Sequence, residues 1–297
     1  MSVRIGALLM LAVAAAFIIS LLVPWTVLGG LVEEQPELAT AILIELRLPR
    51  AALALVYGAT LGASGAAVQA LFANPLASPD LTGTTSGAAL GAVVVAYIIG
   101  FSSPIALSVG AVAGALGALA LLLALAGPRA ETATLLLAGL AISALAGALT
   151  TLALALAPSP FAFYDAYDWL MGSLVDRSLA QTAFAAGPAL LTFLLLLRLA
   201  RPLDSLALGV GACVAICGAL GFVGLVAPIF ARHLTRNHPG QAILPAAAIG
   251  AILLTAADLA VRSAPLGRTL PIGVVTALIG APFFLWLVVH MRWRLGR

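Results

Sequence analysis

Two arginines bracket a proline in Arg47-Leu48-Pro49-Arg50, and an acid and a base stand one helical turn apart at Asp258 and Arg262. A guanidinium presents a planar fork of donors that matches a carboxylate, so the RLPR stretch can hold an acidic partner. It can equally be a pair of long side chains snorkelling at a membrane surface. Asp258 and Arg262 at i, i+4 can pair along one helix face. An acid within an apolar run can also relay protons, but no chain of further acids continues across the segment. Cys213 and Cys217 repeat the spacing in an Ala/Gly run, which reads as small buried filler rather than a metal or redox pair. His233, His238 and His290 stand alone. The chain has no Lys, which excludes a GxxxxGK[ST] phosphate loop. No Ser/His/Asp set or paired carboxylates occupy the apolar runs, so transport is favoured over intramembrane catalysis.

Elements that position these residues must live in lipid. The 297 residues are 63% hydrophobic and 8% charged, with a mean hydropathy of +1.17. A soluble core cannot use that much apolar surface. The runs approach the roughly 20 residues a helical span needs and lack the alternation of a β-barrel. The expected fold is an all-α polytopic membrane protein of about ten transmembrane helices, one permease domain over 1–297. Predicted spans are Ile5–Leu28, Ala51–Phe72, Ser86–Gly100, Ile105–Ala126, Leu135–Ala157, Leu179–Leu199, Leu206–Leu220, Phe222–Leu234, Ala242–Val261 and Ile272–Met291. The first is read as a retained helix, since no small-residue cleavage site follows it. Gly58, Gly62 and Gly65, and likewise Gly110, Gly114 and Gly117, supply small faces for close helix packing.

All 14 basic residues are Arg. With the N-terminus in the cytoplasm, one side collects Arg4, Arg129, Arg198, Arg201, Arg232, Arg236, Arg292, Arg294 and Arg297. The other collects Arg47, Arg50, Arg177, Arg262 and Arg268, and most of the acids. This bias puts both termini in the cytoplasm. The scattered arginines are no nucleic-acid signal. Tyr164, Asp165, Tyr167 and Asp168 fall near the outer mouth, as a substrate or partner contact or an ordinary interfacial surface. Residues 69–83, QALFANPLASPDLTG, fall on the cytoplasmic side. Pro75 and Pro79 stiffen a bend whose backbone cannot all be satisfied helically.

Several motifs together resemble one family. RLPR at 47–50, SGAAVQALFANPLASPDLTG at 64–83, TSGAALGA at 85–92, WLMGSL at 169–174, GFVGLVAP at 221–228, LPAAAIGAILLTAADLAVR at 244–262 and LPIGVVTALIGAPFFLWLV at 270–288 are similar to the FecCD-type permeases of ABC importers for iron chelates, haem and vitamin B12. The resemblance spans nearly the whole chain. It implies ten helices per subunit, a homodimer with the pathway on its axis, two cytoplasmic ATPase subunits that carry ATP and Mg, and a periplasmic binding protein. It implies no cofactor on this chain. Arg47, Arg50 and Arg262 match positions that dock acids of the binding protein. Asn74 and Leu76 match a loop that helps close the cytoplasmic gate, and Thr132 matches the other gate loop.

Two departures stand out. Ile229 replaces the His that follows the proline of GLVxP in the family. After LALG at 206–209, where family members carry the segment that docks the ATPase, Gly209 runs almost directly into VGACVAICGALGFVG. Roughly 30 residues are missing by comparison, about one helix and a connection. The expectation is the inner-membrane subunit of a siderophore importer, with haem and cobalamin as alternatives. A secondary transporter without an ATPase and a membrane-embedded scaffold are the readings from other classes.

Overall fold

A computed structural model describes residues 3–101, 103–127, 130–198, 202–235, 238, 241–263 and 270–295. The described residues form helices and no strand. Lipid offers no partner to an open backbone group, so each segment must close its own ladder.

The helices are α1 (Val3–Leu22), α2 (Trp25–Glu34), α3 (Pro36–Ala41), α4 (Leu48–Leu71), α5 (Thr84–Val94), α6 (Pro104–Ala126) and α7 (Thr132–Ala155). Next come α8 (Pro160–Leu170), α9 (Leu179–Arg198), α10 (Pro202–Cys217), α11 (Val223–Leu234), α12 (Ile243–Ser263) and α13 (Ile272–Leu295). A π-helical turn, Ile42–Arg47, joins α3 to α4. Among the described residues, six helices are long and apolar enough to cross a membrane: Arg4–Leu22, Pro36–Leu71, Ile105–Ala126, Thr132–Ala155, Leu179–Leu196 and Ile243–Ser263. Thr84–Ile99, Leu208–Cys217, Val223–Leu234 and Ile272–Leu287 are apolar but shorter. Among the described residues, six helices therefore meet the length of a bilayer and four more are apolar but short, which leaves the expected count of about ten unconfirmed.

The single helix expected over Ile5–Leu28 is broken. Pro24 has no N–H to continue the ladder, so α1 ends at Leu22 and α2 begins at Trp25. Of the arginines that set the expected orientation, Arg129, Arg201, Arg236, Arg268 and Arg297 lie outside the described residues, as do the side chains of Arg198, Arg292 and Arg294.

At the centre α4 is buried on most of its faces. A β-carbon built on Gly62 would lie 2.0 Å from the Ala246 carbonyl oxygen of α12, and one on Gly58 would lie 2.3 Å from that of Gly250. On another face Gly65 touches the Gly224 carbonyl of α11. The expected small faces thus serve two neighbours. Gly110 and Gly114 of α6 meet Gly91 and Gly87 of α5 in the same way, but Gly117 has open space around it and takes no part.

The chain between α10 and α11 turns back inside the molecule. The Tyr57 hydroxyl, well within α4, donates to the Gly218 carbonyl at 2.8 Å, and the Ser173 amide donates to the Cys217 carbonyl at 2.8 Å. Spans expected at 206–220 and 222–234 are therefore two short helices meeting at an interior turn. Cys213 and Cys217 are free and fully buried in α10, as filler residues should be.

Candidate functional site

The arginine cluster and the 73–83 loop occupy opposite ends of α4. At 24 residues and about 1.5 Å per residue, α4 separates them by roughly 36 Å.

At the arginine end, the last carbonyls of α1 have no helical donors. Arg47 and Arg262 supply them. Arg47 Nη1 donates to the Leu21 carbonyl and Nη2 to the Pro24 carbonyl, both at 2.9 Å. Arg262 Nη1 donates to the carbonyls of Ser20 at 2.9 Å and Val23 at 3.3 Å, and Nη2 donates to Ser20 Oγ at 2.7 Å. Cations at a helix C-terminus also oppose its partial negative charge favourably. The Asp258 carboxylate, 1% exposed, lies between two guanidiniums. Its Oδ1 accepts from Arg50 Nε at 2.8 Å and lies 2.8 Å from Arg50 Nη2, while Oδ2 lies 3.0 Å from Arg262 Nε. The pair expected from i, i+4 spacing is thus half of a three-residue cluster. Its other half, Arg50, is 208 residues away in sequence. Arg47 is buried rather than a surface snorkeller.

This cluster ties α1, α4 and α12 together. Replacing Arg262 by Ala strips donors from the end of α1 and removes one of two cations from a buried acid. Loss of one member of a buried ion pair costs about 3 kcal/mol. Arg262→Ala should accordingly lower the unfolding midpoint of the detergent-purified chain by several degrees. An unchanged midpoint in a thermal-shift measurement would contradict that structural role.

At the other end, Asn74 builds the bend. Its Oδ1 accepts from the Leu76 amide at 2.9 Å, its amide donates to the Gln69 carbonyl at 3.1 Å, and its carbonyl accepts from the Ala77 amide at 3.2 Å. This is an Asx turn, the local geometry in which Asn replaces a backbone acceptor. Leu76 is half-buried. Pro79 packs on Gly224 of α11. The following turn leans on α7: Ser143 Oγ donates to the Asp80 carbonyl at 3.0 Å, and Gly139 leaves room for the Leu81 carbonyl. Gly83, at φ +78, starts α5 in the left-handed region, where a β-carbon would strike Ile142. Burial raises the Asp80 carboxyl above the ordinary carboxylate range.

Thr132 is the exposed first residue of α7. It lies seven residues, about 10 Å along the helix, before Gly139, and no hydrogen bond joins it to Asn74 or Leu76. The loop is thus inserted beside α7 rather than lying at its end. Irregular backbone at such depth is tolerated where protein or a pathway surrounds it. The sequence offered no pointer to one contact here: Gln69, fully buried, donates Nε2 to the Leu225 carbonyl at 3.2 Å and so joins the root of the loop to α11.

Tyr164, Tyr167 and Asp168 are exposed on α8, where Phe163 meets the two tyrosine rings at 5.6 and 6.0 Å; the Asp165 side chain lies outside the described residues. Beneath α8 is a largely apolar cavity of about 450 Å³, bordered by Tyr97, Trp169 and Arg177. Among the described residues no cluster of His, Cys, Asp and Glu could hold a metal ion.

Comparison with known proteins gives a consistent result. The sequence profile of the FecCD transport family matches residues 6–210 and 207–290. The achromobactin transport system permease protein CbrC of Dickeya dadantii (strain 3937) is 38% identical over 324 aligned positions, covering 98% of this chain and 91% of the relative. The vitamin B12 import system permease protein BtuC of Vibrio cholerae is 36% identical, covering 83% of this chain and 82% of the relative. A solved structure described as an inward-facing conformation of a metal-chelate type ABC transporter superposes with a TM-score of 0.84 at 28% identity, covering 97% of this chain and 99% of its own. The family match breaks into two pieces that share residues 207–210. An alignment of 324 positions against a chain of 297 residues leaves at least 27 positions of the Dickeya protein without a counterpart.

Proposed function

Because the chain belongs to the FecCD transport family, we propose that it is the membrane-spanning subunit of an ABC importer that moves a ferric siderophore across the inner membrane. The observation that carries this reading is the similarity to the achromobactin permease over 98% of the chain. Haem and cobalamin are the alternatives within the same family, and the vitamin B12 permease aligns over a smaller share of the chain.

The importer contains two copies of this subunit, two ATPase subunits that bind ATP and Mg, and a binding protein outside. Both termini of the permease lie in the cytoplasm. Arg47, Arg50 and Arg262 form the basic surface that attracts acidic residues of the binding protein at one end of α4, and Arg50 is the one whose donors remain open to them. Asn74 and Leu76 close the pathway at the other end, with Thr132 at the edge of that gate. In the single chain α7 leaves Leu137, Leu140, Leu145, Leu149 and Leu152 exposed, a surface suited to lipid or a second copy. Large chelates make few specific contacts in such a pathway, so the binding protein selects among them.

Proteoliposomes holding the permease, its ATPase and its binding protein test the reading. ATP-dependent accumulation of a labelled ferric siderophore, well above that of haem or cobalamin, is the expected result. It should be measured both for this chain and for a version carrying the relatives' extra residues after Gly209. Accumulation that ignores ATP in both versions would refute the importer reading in favour of a secondary transporter.

A further inference from the structure

The three arginines of the cluster are not equivalent. Arg262 spends both terminal nitrogens on the end of α1, and Arg47 does the same from a buried position. Arg50 alone combines a firm anchor with open donors. Its Nε–Nη2 edge is taken by Asp258 Oδ1, its Nη1 donates to no described group, and its side chain is 16% exposed. The two arms of Asp258 also differ. Arg50 Nε is aligned as a hydrogen bond, whereas Arg262 Nε faces Oδ2 at 3.0 Å as an ion pair without that alignment.

We propose that Asp258 is a positioning residue for partner docking: it grips one edge of the Arg50 guanidinium and presents the other edge to an incoming carboxylate. The proposal rests on the docking role given to Arg50 above and adds the residue that makes Arg50 ready for it. A free arginine must give up rotamer freedom when it binds, and Asp258 removes that freedom during folding instead. One carboxylate among three guanidiniums still leaves two positive charges at this end of the molecule, so the attraction for an acidic surface survives. A second carboxylate can take the outer edge of Arg50 without displacing the first, because the guanidinium fork has five N–H groups.

A double-mutant cycle separates this from simple neutralisation of buried charge. The probe is the binding protein used for uptake, and its Kd is measured on the intact permease–ATPase complex in nanodiscs. Asp258→Asn should raise Kd about tenfold, and Arg50→Gln at least as much. The double variant should bind like Arg50→Gln alone, because Asp258 acts through Arg50. Additive losses, or an unchanged Kd in Asp258→Asn, would overturn the positioning role. An unchanged Kd in Arg50→Gln, with a loss in Asp258→Asn, would instead remove the docking role of Arg50 and the proposal with it. If Asp258→Asn does not fold, Asp258→Glu keeps the charge but moves the carboxylate. That variant should fold and bind severalfold more weakly, and wild-type affinity would overturn the proposal.

Discussion

Gly62→Leu is expected to prevent the chain from folding. The glycine lies where α4 and α12 cross, and a β-carbon there would sit 2.0 Å from the Ala246 carbonyl oxygen. The obstacle is backbone, so no rotamer change relieves it. Nor can α12 simply move away. One turn from Gly62, Gly58 and Gly250 are in reciprocal contact, with a β-carbon on Gly250 placed 2.2 Å from the Gly58 carbonyl. On the adjacent face, about 60° round the helix, α4 is held as tightly by α11, where a β-carbon on Gly65 would lie 1.8 Å from the Gly224 carbonyl. Separating α4 from α12 would also pull Arg50 from Asp258. Overpacking commonly costs about 1–3 kcal/mol when neighbours can yield. Here they cannot, and about 4 kcal/mol or more is expected, comparable to the whole stability of a marginal domain. Gly117→Ala is the control: nothing lies within 4 Å of its β-carbon, and Ala is the better helix former. Size-exclusion profiles in detergent should show aggregated Gly62→Leu and monodisperse Gly117→Ala. A monodisperse Gly62→Leu with a wild-type unfolding midpoint would show that the α4–α12 contact is looser than the geometry indicates.

Much of this arrangement is legible in sequence because lipid imposes simple rules. Apolar runs located α4, α6, α7 and α12 to within a few residues, since length and hydropathy decide them. Proline at 49 announced the start of α4. Hydropathy says nothing, however, about where a ladder breaks. It ran α1 through Pro24 and did not foresee that the turn after α10 is interior, with the carbonyls of Cys217 and Gly218 satisfied by Ser173 and Tyr57 from distant segments. The site shows the same division. Asn74, Pro75 and Pro79 mark an irregular loop by their types alone, but its burial against α7 depends on Gly139 and Ser143, which look like ordinary span residues. The i, i+4 rule found Asp258 with Arg262. It could not find Arg50, because cross-helix partners carry no spacing signal.

Restoring the residues that relatives carry after Gly209 is expected to raise ATP-coupled uptake at least about fivefold over the chain as it stands. The junction lies inside α10, about two turns from its start, where Gly209 packs on Thr192 of α9 and Gly211 on Ala115 of α6. Thr182, near the start of α9, reaches the Pro49 carbonyl at the arginine end, so α9 finishes and α10 begins at the opposite end, where the 73–83 loop lies. Here α10 runs as one helix from Pro202 to Cys217, straight through Gly209. Its residues from Val210 onward are buried among their neighbours. A continuous buried helix offers a separate ATPase no protruding surface at this point. In the proposed importer, force generated by the ATPase needs a packed element to carry it to the proposed gate at Asn74 and Leu76. Coupling free energies between sites are typically 1–3 kcal/mol, a factor of about 5–150, so losing the connecting element should be plainly measurable. The comparison needs two chains differing only at this junction, reconstituted with the same ATPase and binding protein. Substrate-stimulated ATP hydrolysis and labelled chelate uptake are then read together. Equal coupling in both would mean that another surface near the 73–83 loop transmits the stroke, and that the segment is dispensable for this permease.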